Sequence, residues 1–175
     1  GSESMKKLIF TFLVISSALL SQEQIFVGTR PLGMGGAFIA VADDGNTITW
    51  NPAGLPRLRR KEFTSSYADL YAMDISHSYT GIVWPFGDRV AVGFDWSNIG
   101  YDDQELNYSE NKLNFSLGYQ PFKLVSIGGT FKYISRDMGL DGTSYGKSTG
   151  IGYDLGFLIS PHKKLRLGLS LGPLL

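Results

Sequence analysis

Few side chains in this sequence could carry covalent or metal chemistry, and their spacing argues against it. There is no cysteine, so neither thiol catalysis nor a disulfide framework is available. The two histidines, His77 and His162, belong to no recognisable metal-ligand set. Ser76-His77-Ser78 places a nucleophile beside a base, but adjacent residues of a strand point to opposite faces, so a local triad fails. Gly33-Met34-Gly35-Gly36 invites a phosphate-loop reading; no strand precedes it, and Phe38 stands where a third glycine is needed. Asp43-Asp44-Gly45-Asn46 lacks the ligand spacing of a calcium loop. The expectation is therefore no enzyme, no metal and no cofactor. Sixteen Lys and Arg balance sixteen Asp and Glu, so nothing draws the chain toward nucleic acid.

Behind these residues lies a different kind of order, a period of two. Val90, Val92, Phe94 and Trp96 alternate with Ala91, Gly93 and Asp95. The same alternation recurs over Leu113–Tyr119, Val125–Tyr133, Ile151–Ile159 and Leu165–Leu171, and more weakly over Glu62–Tyr71 and Asp74–Trp84. Seven antiparallel strands are expected. Short Pro-containing turns (Trp84–Asp88, Gln120–Lys123, Ser160–Lys164) alternate with polar stretches that read as long loops, Ser97–Asn111 and Ser135–Thr149. Short turns at one end and long loops at the other are the signature of an outer-membrane barrel.

Aromatics support that choice over a soluble β domain. Trp84, Phe86, Tyr119 and Phe122 lie near the short turns, and Trp96, Tyr101, Tyr133 and Tyr153 near the polar loops. Two such girdles suit the two membrane interfaces. Phe94, Leu117, Leu155 and Leu167 are then expected to face lipid. The polar phase, Asp95, Lys112, Asn114, Thr130, Lys132, Asp154 and Arg166, is expected to line a wet lumen, with opposite charges such as Asp95 and Lys112 compensating one another. Gly156, in the same phase, is expected to accept a charge.

The first part of the chain is organised otherwise. Met5, Lys6 and Lys7 form a short basic region ahead of an apolar run from Leu8 to Leu20. A run of about 13 residues fits a signal peptide and is short for a membrane-spanning helix. We expect a signal peptide over residues 5–22, cleaved between Leu20 and Gln24, with Gly1–Ser4 preceding the natural start. No cysteine follows, so no lipid anchor is expected. A compact segment over residues 25–60 then precedes the strands over residues 62–175. In it, Asp43 or Asp44 is expected to cap a short helical turn ending near Trp50. Pro52 is expected to open another, soon ended by Gly54 and Pro56.

The stretch "RPLGMGGAFIAVADDGNTITWNPAGL" resembles the N-terminal region of the FadL-type outer-membrane proteins and their PorV-like relatives. Ala42-Asp43-Asp44 and Asn51-Pro52-Ala53 match, in order and spacing, an element that in that superfamily lies in a hatch filling the barrel from the periplasmic side. The resemblance covers about 30 residues closely. It implies that Asp43, Asp44, Trp50, Asn51, Pro52 and Ala53 seat a plug, and that the barrel has about fourteen strands. Seven strands would then be half of it. Pro173 cannot continue a central strand, and Gly172–Leu175 carry no terminal aromatic, which fits a chain whose barrel is incomplete.

The function expected is that of a FadL-like protein of the bacterial outer membrane, in contact with its lipid, that binds or transports hydrophobic small molecules. A PorV-like component of secretion or surface attachment, whose partners would be secreted proteins, is one alternative. A soluble lipid-binding β-barrel is another.

Overall fold

The computed structural model describes residues 28–70, 75–102, 106–140, 143–162 and 164–172. The expected signal peptide and the residues from Pro173 onward lie outside the described residues. Two short helices, α1 (Thr29–Gly33) and α2 (Thr47–Trp50), and a 3₁₀ helix (Pro52–Arg57) precede seven strands. These are β1 (Glu62–Leu70), β2 (Ile75–Phe86), β3 (Val90–Asp102), β4 (Leu106–Phe122), β5 (Val125–Leu140), β6 (Thr143–His162) and β7 (Leu165–Leu171). Each pairs antiparallel with the next in one sheet of order β1 to β7. The strand number and pairing follow from the alternation, because a period of two commits each segment to one register-compatible face. Among the described residues β1 and β7 do not pair with each other. The sheet is curled into half a barrel, and five successive strands, β2 to β6, reach the one 3₁₀ helix.

Two expectations about connections need correction. Ser97–Asn111 and Ser135–Thr149 are not long loops: the ladder runs out to Asp102↔Asn107 and Leu140↔Thr143. A backbone ladder needs no apolar side chains, and here polar cross-strand pairs support it. Asn98 donates to Ser109 and Asn111 at 3.1 and 3.2 Å, and Lys147 pairs with Asp137 at 3.3 Å. Glu110 joins β4 to β5 through Arg136, and it pairs with Lys112 at 2.8 Å. The second correction concerns the prolines. Pro85, Pro121 and Pro161 lie within strand ends, not in the turns. Register shifts at Tyr119/Phe122 and Ile159/His162 absorb the hydrogen bonds that Pro121 and Pro161 cannot donate.

The two faces of the sheet differ in kind. Phe94, Leu117, Leu155 and Leu167 are all exposed, whereas Asp95, Lys132 and Asp154 on the alternate phase are buried. Trp84, Phe86, Tyr119, Phe122, Trp96, Tyr133 and Tyr153 are likewise exposed on the outer face. Tyr101 departs from the expected girdle. In the unshifted β3 ladder it shares the phase of Asp95 and Ser97, which is the inner one. What buries the inner face is the N-terminal segment.

Candidate functional site

The N-terminal segment is shaped by its own polar contacts before it meets the sheet. The Arg30 guanidinium donates to Asp43 and Asp44, both at 2.7 Å. Those two carboxylates hold Arg30 well above its ordinary pKa. Asp44 also accepts from the Asn46 backbone N–H and side-chain amide at 2.8 Å. Asn46, not an aspartate, therefore occupies the position before α2, and it makes no side-chain cap. Asp44 acts two residues earlier, as an Asx-type turn. Trp50 is buried edge-on against Phe38, with ring centroids 6.1 Å apart.

Asn51 joins this segment to the wall. It is fully buried in extended backbone geometry, as a residue before proline prefers. Its Oδ1 accepts from the Ala53 N–H at 3.1 Å and so caps the 3₁₀ helix. Its Nδ2 donates to the carbonyl of Ile39 in the same segment at 2.9 Å and to that of Phe157 on β6 at 3.2 Å. The helix does not stop at Gly54 or Pro56 but runs to Arg57. Proline removes a single donor in a 3₁₀ ladder, and the Leu58 N–H still reaches the Leu55 carbonyl at 3.1 Å. Arg57 then ties the helix end to β5 and β6, donating to Ser126 at 3.1 Å and Ser160 at 2.8 Å. Burial, with Arg166 nearby, lowers the Arg57 pKa.

Three glycines make room for Asn51-Pro52-Ala53. Gly118, Gly128 and Gly156 are directly opposed across β4, β5 and β6. A methyl group on Gly118 would come within 2.5 Å of Pro56, and one on Gly128 within 2.6 Å of the Pro52 carbonyl. On Gly156 it would strike the Asn51 amide oxygen and lie 3.0 Å from the Ala53 nitrogen. Gly93 and Gly168 continue the accommodation, facing Ile48 and Ile39-Ala40 at 2.7 Å. Gly156 is thus not a wet position open to a charge: the segment already occupies it. Ile48, Leu55 and Leu58 pack with Val83 and Ala91 of the wall, and Ala42 and Ala53 with Leu158. Fully burying a side chain such as Ile48 or Leu55 contributes roughly 1.5–3 kcal/mol.

The inner polar residues form rows above the glycines. Asp95 accepts from Thr49 of α2 at 3.0 Å and from Asn114 at 2.8 Å. Thr130 shares a 2.7 Å hydroxyl bond with Ser116, and Lys132 pairs with Asp154 at 2.6 Å. Lys112 ion-pairs with Glu110, a residue sequence reasoning passed over, and lies opposite Ser97, while Asp95 lies opposite Asn114. Arg166, on the short-turn side of the glycine row, donates to the Val41 carbonyl at 2.9 Å. His77 lies on β2 opposite Ile99 and His162 at the far end of β6, so the fold does not bring them together. The glycine row was also passed over. Part of its signal was present, since each of the three glycines occupies the polar phase of its strand; their common height comes from the register.

Fold and seat together define a class: half of an antiparallel β-barrel whose inner face carries a folded N-terminal segment. No family model matches the chain, nor does any curated protein. Among solved structures it is similar to one described as CymD monoaromatic hydrocarbon channel. The TM-score is 0.64 and the identity 18%, over 82% of this chain and 52% of that one. The chain therefore spans about half the length of that channel, and at this identity the likeness shows the fold.

Proposed function

We propose that this chain is part of a FadL-type channel of the bacterial outer membrane, in which residues 28–60 stop the inner face and yield to a small hydrophobic solute. The observation that carries the reading is the reversed polarity of the sheet. Aromatic and aliphatic side chains stand exposed on the outer face, while Asp95, Asn114, Thr130, Lys132 and Asp154 are buried on the inner one. A soluble half-buried sheet would place them the other way round, whereas lipid outside and polar groups inside is what a membrane barrel requires. The likeness to a monoaromatic hydrocarbon channel supports a small apolar solute.

In this arrangement the segment packs directly on the wall at the glycine row, where even a methyl group would strike it. A solute path along this wall then requires the Asn51 bonds to Ile39 and Phe157 to break, or the seat to shift as a unit. The test is uptake of a radiolabelled monoaromatic hydrocarbon by cells with an intact lipopolysaccharide barrier, with and without the full-length protein. Faster uptake with the protein is the expected result. Unchanged uptake, with a secreted protein co-purifying instead, would replace this reading by the PorV-like one.

A further inference from the structure

A second site lies at the short-turn end of the sheet, away from the Asn51 seat. The turns that follow β2 and β4 are held side by side there, since the Gln120 backbone N–H donates to the Arg89 carbonyl at 2.8 Å. Arg59, on the link between the 3₁₀ helix and β1, donates to the Asp88 carbonyl at 3.1 Å and its carboxylate at 3.0 Å. Together they enclose an open cleft of about 720 Å³. That volume lies within the usual range for small-molecule sites, about 300–1,000 Å³.

The charge around the cleft is unbalanced. Arg59, Arg89 and Lys123 contribute three cations, and Asp88 is the one acid, already engaged by Arg59. Among the described residues no side chain pairs with Arg89 or Lys123. One wall is apolar, formed by Pro121 and by Phe122, which is 71% exposed. Guanidinium groups match the oxygens of a phosphate in geometry and charge, and an ammonium adds a third contact. An apolar wall beside such a cluster suits a phosphate that carries a hydrocarbon part.

We propose that this cleft binds a phosphate-bearing anion, and that the phosphate is the headgroup of a phospholipid in the leaflet at the short-turn end. The choice of leaflet rests on the membrane reading above; the phosphate chemistry does not. Trp84, with the Lys61 ammonium 3.5 Å from its ring centre, and exposed Phe86 mark the same end of the sheet as an interfacial one.

The test compares the full-length protein with its R89Q/K123Q double variant. Both side chains are exposed and make no ladder bond, so heat-modifiability on a gel should be the same for the two proteins. Lipid retention is read by native mass spectrometry from bilayers of phosphatidylcholine and phosphatidylglycerol in equal parts. Each basic group beside an anionic lipid is worth roughly fivefold, so the variant, which lacks two, should retain about 25-fold less phosphatidylglycerol. Binding of sn-glycerol 3-phosphate to the detergent-solubilised protein is measured in parallel by calorimetry. Residue-dependent binding there, without lipid preference, would overturn the headgroup and keep a soluble phosphate as ligand. Independence of both measurements from Arg89 and Lys123 would overturn the site. A failed hydrocarbon uptake experiment leaves the calorimetric result standing.

Discussion

Asn51 makes three hydrogen bonds with one amide, all to backbone groups: two, Ile39 and Ala53, within the segment and one, Phe157, on β6. Truncation to alanine strands buried donors and acceptors, at a cost of about 1–3 kcal/mol. We expect Asn51→Ala to leave the barrel heat-resistant, because no ladder bond uses its side chain. It should speed amide exchange over residues 47–57 and raise small-solute leak in bilayers of the full-length protein. Equal exchange and leak would remove Asn51 from the seat. Adjacent glycines give a second, sharper contrast. A methyl on Gly128 meets Pro52 and Ala53 backbone at 2.6 Å, whereas on Gly129 the nearest atom is the Asp154 carbonyl at 3.7 Å. Gly128→Ala should therefore destabilise the seat by roughly 1–3 kcal/mol, and Gly129→Ala should change it by less than about 0.5 kcal/mol. Urea titrations followed by Trp50 fluorescence check both.

The strands divide into a belt and an extension. Within the belt the outer phase is apolar, and Leu155 stands exposed between Tyr153 and Phe157. An arginine at mid-membrane costs about 2–4 kcal/mol, so Leu155→Arg should lower the unfolding free energy in bilayers by that amount. A loss below about 0.5 kcal/mol would contradict the lipid-facing assignment. Beyond the belt, β3–β4 and β5–β6 continue as polar hairpins. Lys147, paired with Asp137 across that ladder, lies far enough out to take either charge without loss.

For the molecule as a whole, the proposed membrane barrel places the two ends of the sheet on opposite sides of the membrane. These 175 residues contain no cysteine, so a single replacement introduces the one thiol of this region, and the protein without that replacement serves as the labelling control. We expect a membrane-impermeant maleimide to label Lys147→Cys in intact cells and to label Lys164→Cys only after the cells are opened. The reverse pattern would invert the orientation. Closure is the other property that belongs to the whole. The outer strands β1 and β7 each present one unpaired edge among the described residues, and unpaired backbone cannot face hydrocarbon. In a bilayer those edges need further strands, which accords with a chain half as long as the channel it resembles.

Alternation by itself determined the seven strands and divided each into two faces, because a period of two fixes which side chains share a face; the short turns and the aromatic girdles chose the antiparallel order and the outward face. The short turns were legible too, though their prolines proved to lie in the strand ends beside them. Alternation misjudged the polar hairpins, since propensity rewards apolar residues while the ladder there is held by backbone bonds and by Glu110, Arg136 and Asn98 from separate strands. Asn51-Pro52-Ala53 was visible as a motif, but its partners were not: Ile39 lies 12 residues away and Phe157 106. Nor could the purpose of Gly118, Gly128 and Gly156 be read along the chain. Only the register of three strands aligns them, and only a backbone packed against them makes the missing side chain a requirement.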